Sequence, residues 1–255
     1  MKCQGDTGLY LSGSPVPIPM CMIYITQPKI KEIIQFNETD FLMGVQLLTH
    51  TEDFLGDIRS AGNSELAKLS DFQILLVMID QDPSVKKYLN TLFELIFPEY
   101  NLKYTKNSID FSLKEDAEKQ LIGQITPFTF ESFQKVLKEL FGLQTDNNKD
   151  YNPANAAAAE IAKKLKAGQD KKNKLQNKKT DKNISLFGSY ASILAIGMGM
   201  DINIFFGYTP FQLYDTFQRY WLKSKYDFYQ KLVSTPMMDT SKMEEPEEWT
   251  KDLYN

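Results

Sequence analysis

Between Ala154 and Lys182 the chain changes character so sharply that this stretch decides how the rest can fold. Ala154 to Ala159 is alanine with a single asparagine, and Lys163 to Lys182 carries nine lysines against two aspartates. Ile161, Leu165 and Leu175 are its only large apolar residues. Alanine and lysine both favour helix, but three apolar side chains cannot form the stripe by which a helix joins a core. The segment therefore reads as a solvated, positively charged helix or connection, entered through the polar run Gln144 to Pro153. Core-forming sequence must lie on either side of it. The expected organisation is a mixed α+β domain over residues 1–143, a polar and lysine-rich connection over 144–183, and a helical unit with an acidic tail over 184–255.

The flanking sequence has enough apolar residues for this, at 42% hydrophobic overall. The net charge of -4 gives no global positive field, so nucleic acid is not the expected partner. If a polyanion is bound, Lys163, Lys164, Lys171, Lys172, Lys178 and Lys179 are the residues to contact it. No aromatic residue lies between Lys163 and Lys182 to stack on unpaired bases.

The first hundred residues alternate strand and helix signals. Val16, Ile18, Met20, Met22 and Tyr24 suggest one or two short strands, kept at a sheet edge by Pro15, Pro17 and Pro19. Gln27-Pro28 is expected to open a helix whose apolar side holds Ile30, Ile33, Ile34 and Phe36. Asn37 to Asp40 breaks it and caps the next, which carries Phe41, Val45, Leu47 and Leu48. Ser70 or Asp71 caps a helix through Phe72, Leu75, Leu76 and Ile79. Asp82-Pro83 starts another, with Val85, Leu89, Leu92, Phe93, Ile96 and Phe97 as its stripe. Leu102 and Tyr104, then Ile109, Phe111 and Leu113, alternate around a turn at 106–108 and predict a hairpin. Thr129 opens a helix burying Phe133, Val136, Leu137, Leu140 and Phe141, with Gly142 as its stop.

From Asn183 to Met200 there is no charged residue, which is about the 18-residue length of a membrane-spanning candidate. Its glycines and serines read instead as a buried core helix holding Leu186, Tyr190, Ile193, Leu194 and Ile196 and capped by Gly197. A short helix follows Asp201. Thr209-Pro210 then opens a strongly aromatic helix with Phe211, Leu213, Tyr214, Phe217, Tyr220 and Trp221. Tyr226, Phe228 and Tyr229 add more aromatic surface than one buried face can hold.

A constellation for catalysis is not apparent. His50 is the single histidine; Cys3 and Cys21 lack metal-ligand spacing, and nothing in the sequence places His50 beside either of them. Phosphate-binding glycine motifs are absent. Asp80 and Asp82 read as helix caps rather than cation ligands. Neither metal nor cofactor is expected, nor is enzymatic activity.

Some motifs are familiar. Ala191-Ser-Ile-Leu-Ala195, Thr209-Pro-Phe-Gln-Leu-Tyr-Asp-Thr-Phe-Gln-Arg219 and Trp249-Thr-Lys251 resemble tail assembly chaperones of long-tailed phages infecting low-GC Gram-positive bacteria, in which a T-x-x-Q-x-x-D-x-x-x-R helix follows a small-residue helix. The opening run from Leu11 through Gln27-Pro-Lys-Ile-Lys-Glu-Ile-Ile34 is similar to the start of proteins found among phage tail genes. The resemblance implies a helical protein of the host cytoplasm that holds the tape-measure protein, with the tail tube protein as a further partner and self-association compatible with the role. The lysine-rich insert departs from the pattern. The alternatives are a structural tail or baseplate subunit retained in the virion, and a nucleic-acid-binding protein using the lysine-rich segment.

The expected fold is mainly helical α+β, with bundle-like helical units and a small β element in the N-terminal half. The expected partner-binding residues are Tyr214, Arg219, Tyr220, Trp221 and Trp249, chosen for the aromatic excess around them.

Overall fold

The computed structural model describes residues 6–49, 69–141, 185–235, 245–246 and 248–250. His50, Cys3, Gly142 and the six candidate lysines between 163 and 179 lie outside them. The chain is a mainly helical α+β protein. Its elements run α1 (Asp6–Ser12), β1 (Val16–Ile18), a 3-10 turn (Pro19–Cys21), β2 (Ile23–Ile25), α2 (Ile30–Phe36), α3 (Glu38–Thr49), α4 (Asp71–Gln81) and α5 (Pro83–Ile96). They continue with β3 (Tyr100–Tyr104), β4 (Ile109–Leu113), β5 (Gly123–Ile125), α6 (Phe130–Leu140), α7 (Leu186–Met198), α8 (Ile202–Phe206) and α9 (Pro210–Val233).

Both sheets are small and antiparallel. β1 pairs with β2 so that Val16 faces Ile25 and Ile18 faces Ile23. All four of these side chains are buried, while Pro17 and Tyr24 point outward. β3, β4 and β5 form the second sheet in that order. The expected hairpin is its first two strands, with Leu102 opposite Phe111 and Tyr104 opposite Ile109. The third strand is too short to announce itself by alternation. It is fixed by pairing, Ile125 on Ile109 and Gly123 on Phe111.

Helix starts follow local chemistry. The Ser70 hydroxyl accepts from the Gln73 N–H, and the Asp82 carboxylate accepts from the Ser84 N–H with Pro83 next in line. α2 begins later than Pro28, at Ile30, because buried Gln27 is held before it, donating from Nε2 to the carbonyls of Leu9 (3.2 Å) and Ser14 (2.7 Å). It buries only Ile30 and Ile33; Ile34 and Phe36, expected on the same side, are exposed.

One apolar core joins the described residues from Tyr10 to Leu213. Phe97 stands near its centre, its ring 4.8 Å from Phe111 and 6.2 Å from Phe133. α3 and α5 approach closely at Gly44, where an added Cβ would lie 2.7 Å from the Tyr88 carbonyl oxygen. The C-terminal helices share this core. Phe41 packs edge-on to Phe141, and Tyr10 edge-on to Phe211 at 5.3 Å. The Ile30 N–H donates to the Tyr208 carbonyl at 2.8 Å. The Phe187 N–H donates to Glu38 Oε1 at 2.9 Å, joining the first turn of α7 to α3.

Candidate interaction site

α7, α8 and α9 are each started by a side-chain cap. Ser185 accepts from the Gly188 N–H, Asp201 from the Asn203 N–H, and Thr209 from the Gln212 N–H. The Gln212 side chain closes the reciprocal capping box on the Thr209 N–H at 2.8 Å and reaches back to donate to the Leu11 carbonyl at 2.7 Å. Three residues on, Asp215 is buried and takes the Arg219 Nε at 3.1 Å. The spacing Thr209, Gln212, Asp215, Arg219 is therefore an arrangement that starts α9 and seats it on the core.

The structure corrects the reading of α7. Its buried side chains are Phe187, Ala191 and Leu194, at spacings of four and three residues. Leu186, Ile193 and Ile196, expected inside, are 42%, 47% and 82% exposed. A helix without a charged residue has no strongly polar face to set its phase, so the packing partners decide it. Its cap is Gly199, not Gly197: Gly199 takes φ +67°, a conformation glycine adopts without strain, and its N–H closes on the Ala195 carbonyl. Gly197 lies inside the helix, exposed but with the hydroxyl end of the Tyr220 ring against it.

α7 and α9 run side by side. Tyr190 meets Phe217 with ring centroids 4.6 Å apart, and Gly197 meets Tyr220. There the support ends, because no side chain from Thr216 to Val233 is buried and Tyr220 is the last residue of α9 packed against the core. From Trp221 to Val233 the helix continues for roughly 20 Å at about 1.5 Å per residue. At 3.6 residues per turn, Trp221, Leu222, Tyr226, Phe228, Tyr229, Leu232 and Val233 fall within about 160° of its circumference, and Lys223, Ser224, Asp227, Gln230 and Lys231 lie opposite. Trp221, Phe228 and Val233 are 50%, 62% and 48% exposed, while Leu222, Tyr226, Tyr229 and Leu232 are half-buried. The Lys225 Nζ lies 5.2 Å from the Trp221 ring centroid, so a cation crosses the aromatic face.

The five partner-binding candidates are thus placed differently. Trp221 is exposed on the apolar side of α9, and Trp249 is exposed outside the described helices. Tyr220 spends its ring on Gly197, and Arg219 its Nε on Asp215. Tyr214 is half-buried beside Phe41 and Leu186 in a small cavity of about 70 Å³. Sequence reasoning left out Leu222, Leu232 and Val233, whose signal was the spacing they share with Tyr226 and Tyr229.

For chemistry the described residues offer little. Among them no group of three or more His, Cys, Asp or Glu side chains could hold a metal ion. Cys21 is buried, its Sγ 3.9 Å from the Thr129 carbonyl, and burial pushes its thiol pKa up, away from nucleophilic thiolate. No described helix is long and apolar enough to cross a membrane.

This geometry defines a helical module with an amphipathic helix projecting from its core, an arrangement suited to helix-against-helix recognition. Residues 176–254, which take in α7, α8 and α9, match the family model of the YomV second domain, a phage-related family. That similarity covers less than a third of the chain and supports a phage protein. No curated protein and no solved structure matches the chain.

Proposed function

We propose that this phage-related protein acts by binding rather than catalysis, and that the far half of α9 lays its aromatic face along an amphipathic helix of a partner protein. The carrying observation is the continuation of α9 past Tyr220 with one apolar side on which Trp221, Phe228 and Val233 stand exposed. A helix with such an exposed apolar edge gains stability when a second apolar stripe covers it. Trp and Tyr supply large contact area at such sites.

Within phage assembly the reading supported best is a tail assembly chaperone for the tape-measure protein. That substrate is long, helical and exposed before the tail tube closes around it, and such chains aggregate through apolar surface. A carrier must cover that surface reversibly, which a single-helix face with basic residues at Lys225 and Lys231 suits; Lys223 is paired with Asp227 at 2.6 Å. The resemblance of the Thr209–Arg219 motif supports this assignment, and the match over 176–254 supports the coarser one, a phage protein.

Co-expression with the tape-measure protein of the same genome tests it. Co-purification and rescued solubility with the wild-type chain, both lost with the double variant W221A/F228A, are expected. A tape-measure protein that stays insoluble and unbound overturns the chaperone reading, and recovery of the chain in purified virions would replace it with a structural one.

A further inference from the structure

α7 carries a second uncovered apolar surface, on the side away from Phe187, Ala191 and Leu194. Leu186, Ser189, Ile193 and Ile196 follow one another at spacings of three and four residues, the pattern of a helix-pairing seam. Met200, 37% exposed, continues it just past the helix end, whereas Met198 turns to the side of Ala191. Together these side chains present on the order of 400 Å² of apolar surface, within the roughly 300–600 Å² shown by the largest patch of an ordinary monomer, which is often functional.

We propose that this face pairs with the same face of a second copy of the chain, α7 against α7, antiparallel about a two-fold axis. Charge permits this occupant. No charged residue occurs from Ser185 to Met200, so the face meets itself without like-charge repulsion. The far half of α9, with lysines at its fringe, lacks this property and favours an acidic partner.

Size complementarity agrees. With the axis between Ile193 and Ile196, Ile193 of each copy lies opposite Ile196 of the other, and Ser189 opposite Met200. Two isoleucine layers are then flanked by small-against-large layers, as antiparallel packing requires. The Ser189 hydroxyl donates to the Ser185 carbonyl at 2.8 Å within its own helix, so pairing strands no polar group. Burying about 400 Å² on each copy gives roughly 800 Å² in total, the small size of a weak, concentration-dependent association.

Light scattering on the full-length chain across a wide concentration range tests the pairing without any partner, and so separately from the reading of α9. The expected result is a concentration-dependent species of twice the 29.4 kDa chain mass. I196E, at the most exposed position of the seam, should remain at 29.4 kDa with an unchanged circular dichroism spectrum and melting temperature. In a Cys3→Ser background, mixed I193C and I196C chains should cross-link to each other in preference to themselves. A wild-type chain of 29.4 kDa at every concentration, or a dimer that persists in I196E, overturns the proposal.

Discussion

A methyl group at Gly197 would run into the ring of Tyr220, so the absence of a side chain at one position of α7 fixes where α9 last touches the core. Two effects oppose each other in G197A. Alanine in a helix gains roughly 0.5–1 kcal/mol over glycine, while an overpacked contact costs about 1–3 kcal/mol. The contact should win, and G197A should lose about 1 kcal/mol in urea denaturation. In a Y220A background the obstacle is gone and the same substitution should stabilise by roughly 0.5–1 kcal/mol. A G197A effect of the same sign in both backgrounds would show that the ring does not set the packing.

The Glu38 carboxylate reaches α7 at its first turn and accepts from the Phe187 N–H. Helix N-termini leave such amides without partners inside the helix, and an anion there also meets the favourable end of the helix dipole. E38A should cost about 1 kcal/mol. The loss should be local, with hydrogen exchange rising at Phe187 and its neighbours before it rises in α5. Uniform acceleration across both helices would mean that Glu38 supports the whole core instead.

What the sequence could reveal was local. Ser70, Asp82 and Thr209 announce their helices because the cap and the N–H that it satisfies lie within three residues of each other. The hairpin around 106–108 was legible for the same reason. The phase of α7 was not, since Leu186, Phe187, Ile193, Leu194 and Ile196 are interchangeable by hydropathy, and only Ala191 and Leu194 against distant residues settle which side turns inward. β5 was hidden because Gly-Gln-Ile carries no alternation and depends on β4 for its pairing. At the candidate site, aromatic excess pointed to Trp221. It could not show that Arg219 and Tyr220 are occupied by Asp215 and Gly197, because those relations depend on rotamers and on a neighbouring helix.

Tyr104 makes stability depend on alkaline pH. Burial, with a smaller contribution from the Glu94 charge, pushes its pKa from 10.0 up to about 12. The folded state therefore holds the phenol proton more tightly than the unfolded state does. The stability this supplies is complete below about pH 10 and is lost as the pH rises towards 12, to the extent of at most roughly 2–3 kcal/mol. Y104F cannot titrate, but it gives up the hydrogen bond from the hydroxyl to Asn90 Oδ1 at 3.0 Å, a loss of about 1 kcal/mol. Wild type should be the more stable protein near neutrality and the less stable one by about pH 12. Parallel denaturation curves with no crossing would place Tyr104 in a more solvated environment.

The far half of α9 separates binding from folding more cleanly than any other element. Trp221 and Phe228 are at least half exposed and lie beyond the last core contact, so truncating either should change stability by no more than about 0.5 kcal/mol. If they anchor a partner helix, each truncation should weaken the complex about tenfold or more, equivalent to roughly 1.4 kcal/mol. L194A is the matched control: it removes a fully buried side chain of α7, should cost about 2–5 kcal/mol of stability, and should affect binding only through the fraction unfolded. K225M distinguishes the two contributions at the face, keeping an apolar stem over Trp221 while removing the charge. An acidic partner would then bind more weakly and with a shallower salt dependence. Calorimetric titration of the co-expressed partner against wild type, W221A, F228A and K225M measures all four. Unchanged affinity in W221A and F228A would move the partner surface away from α9.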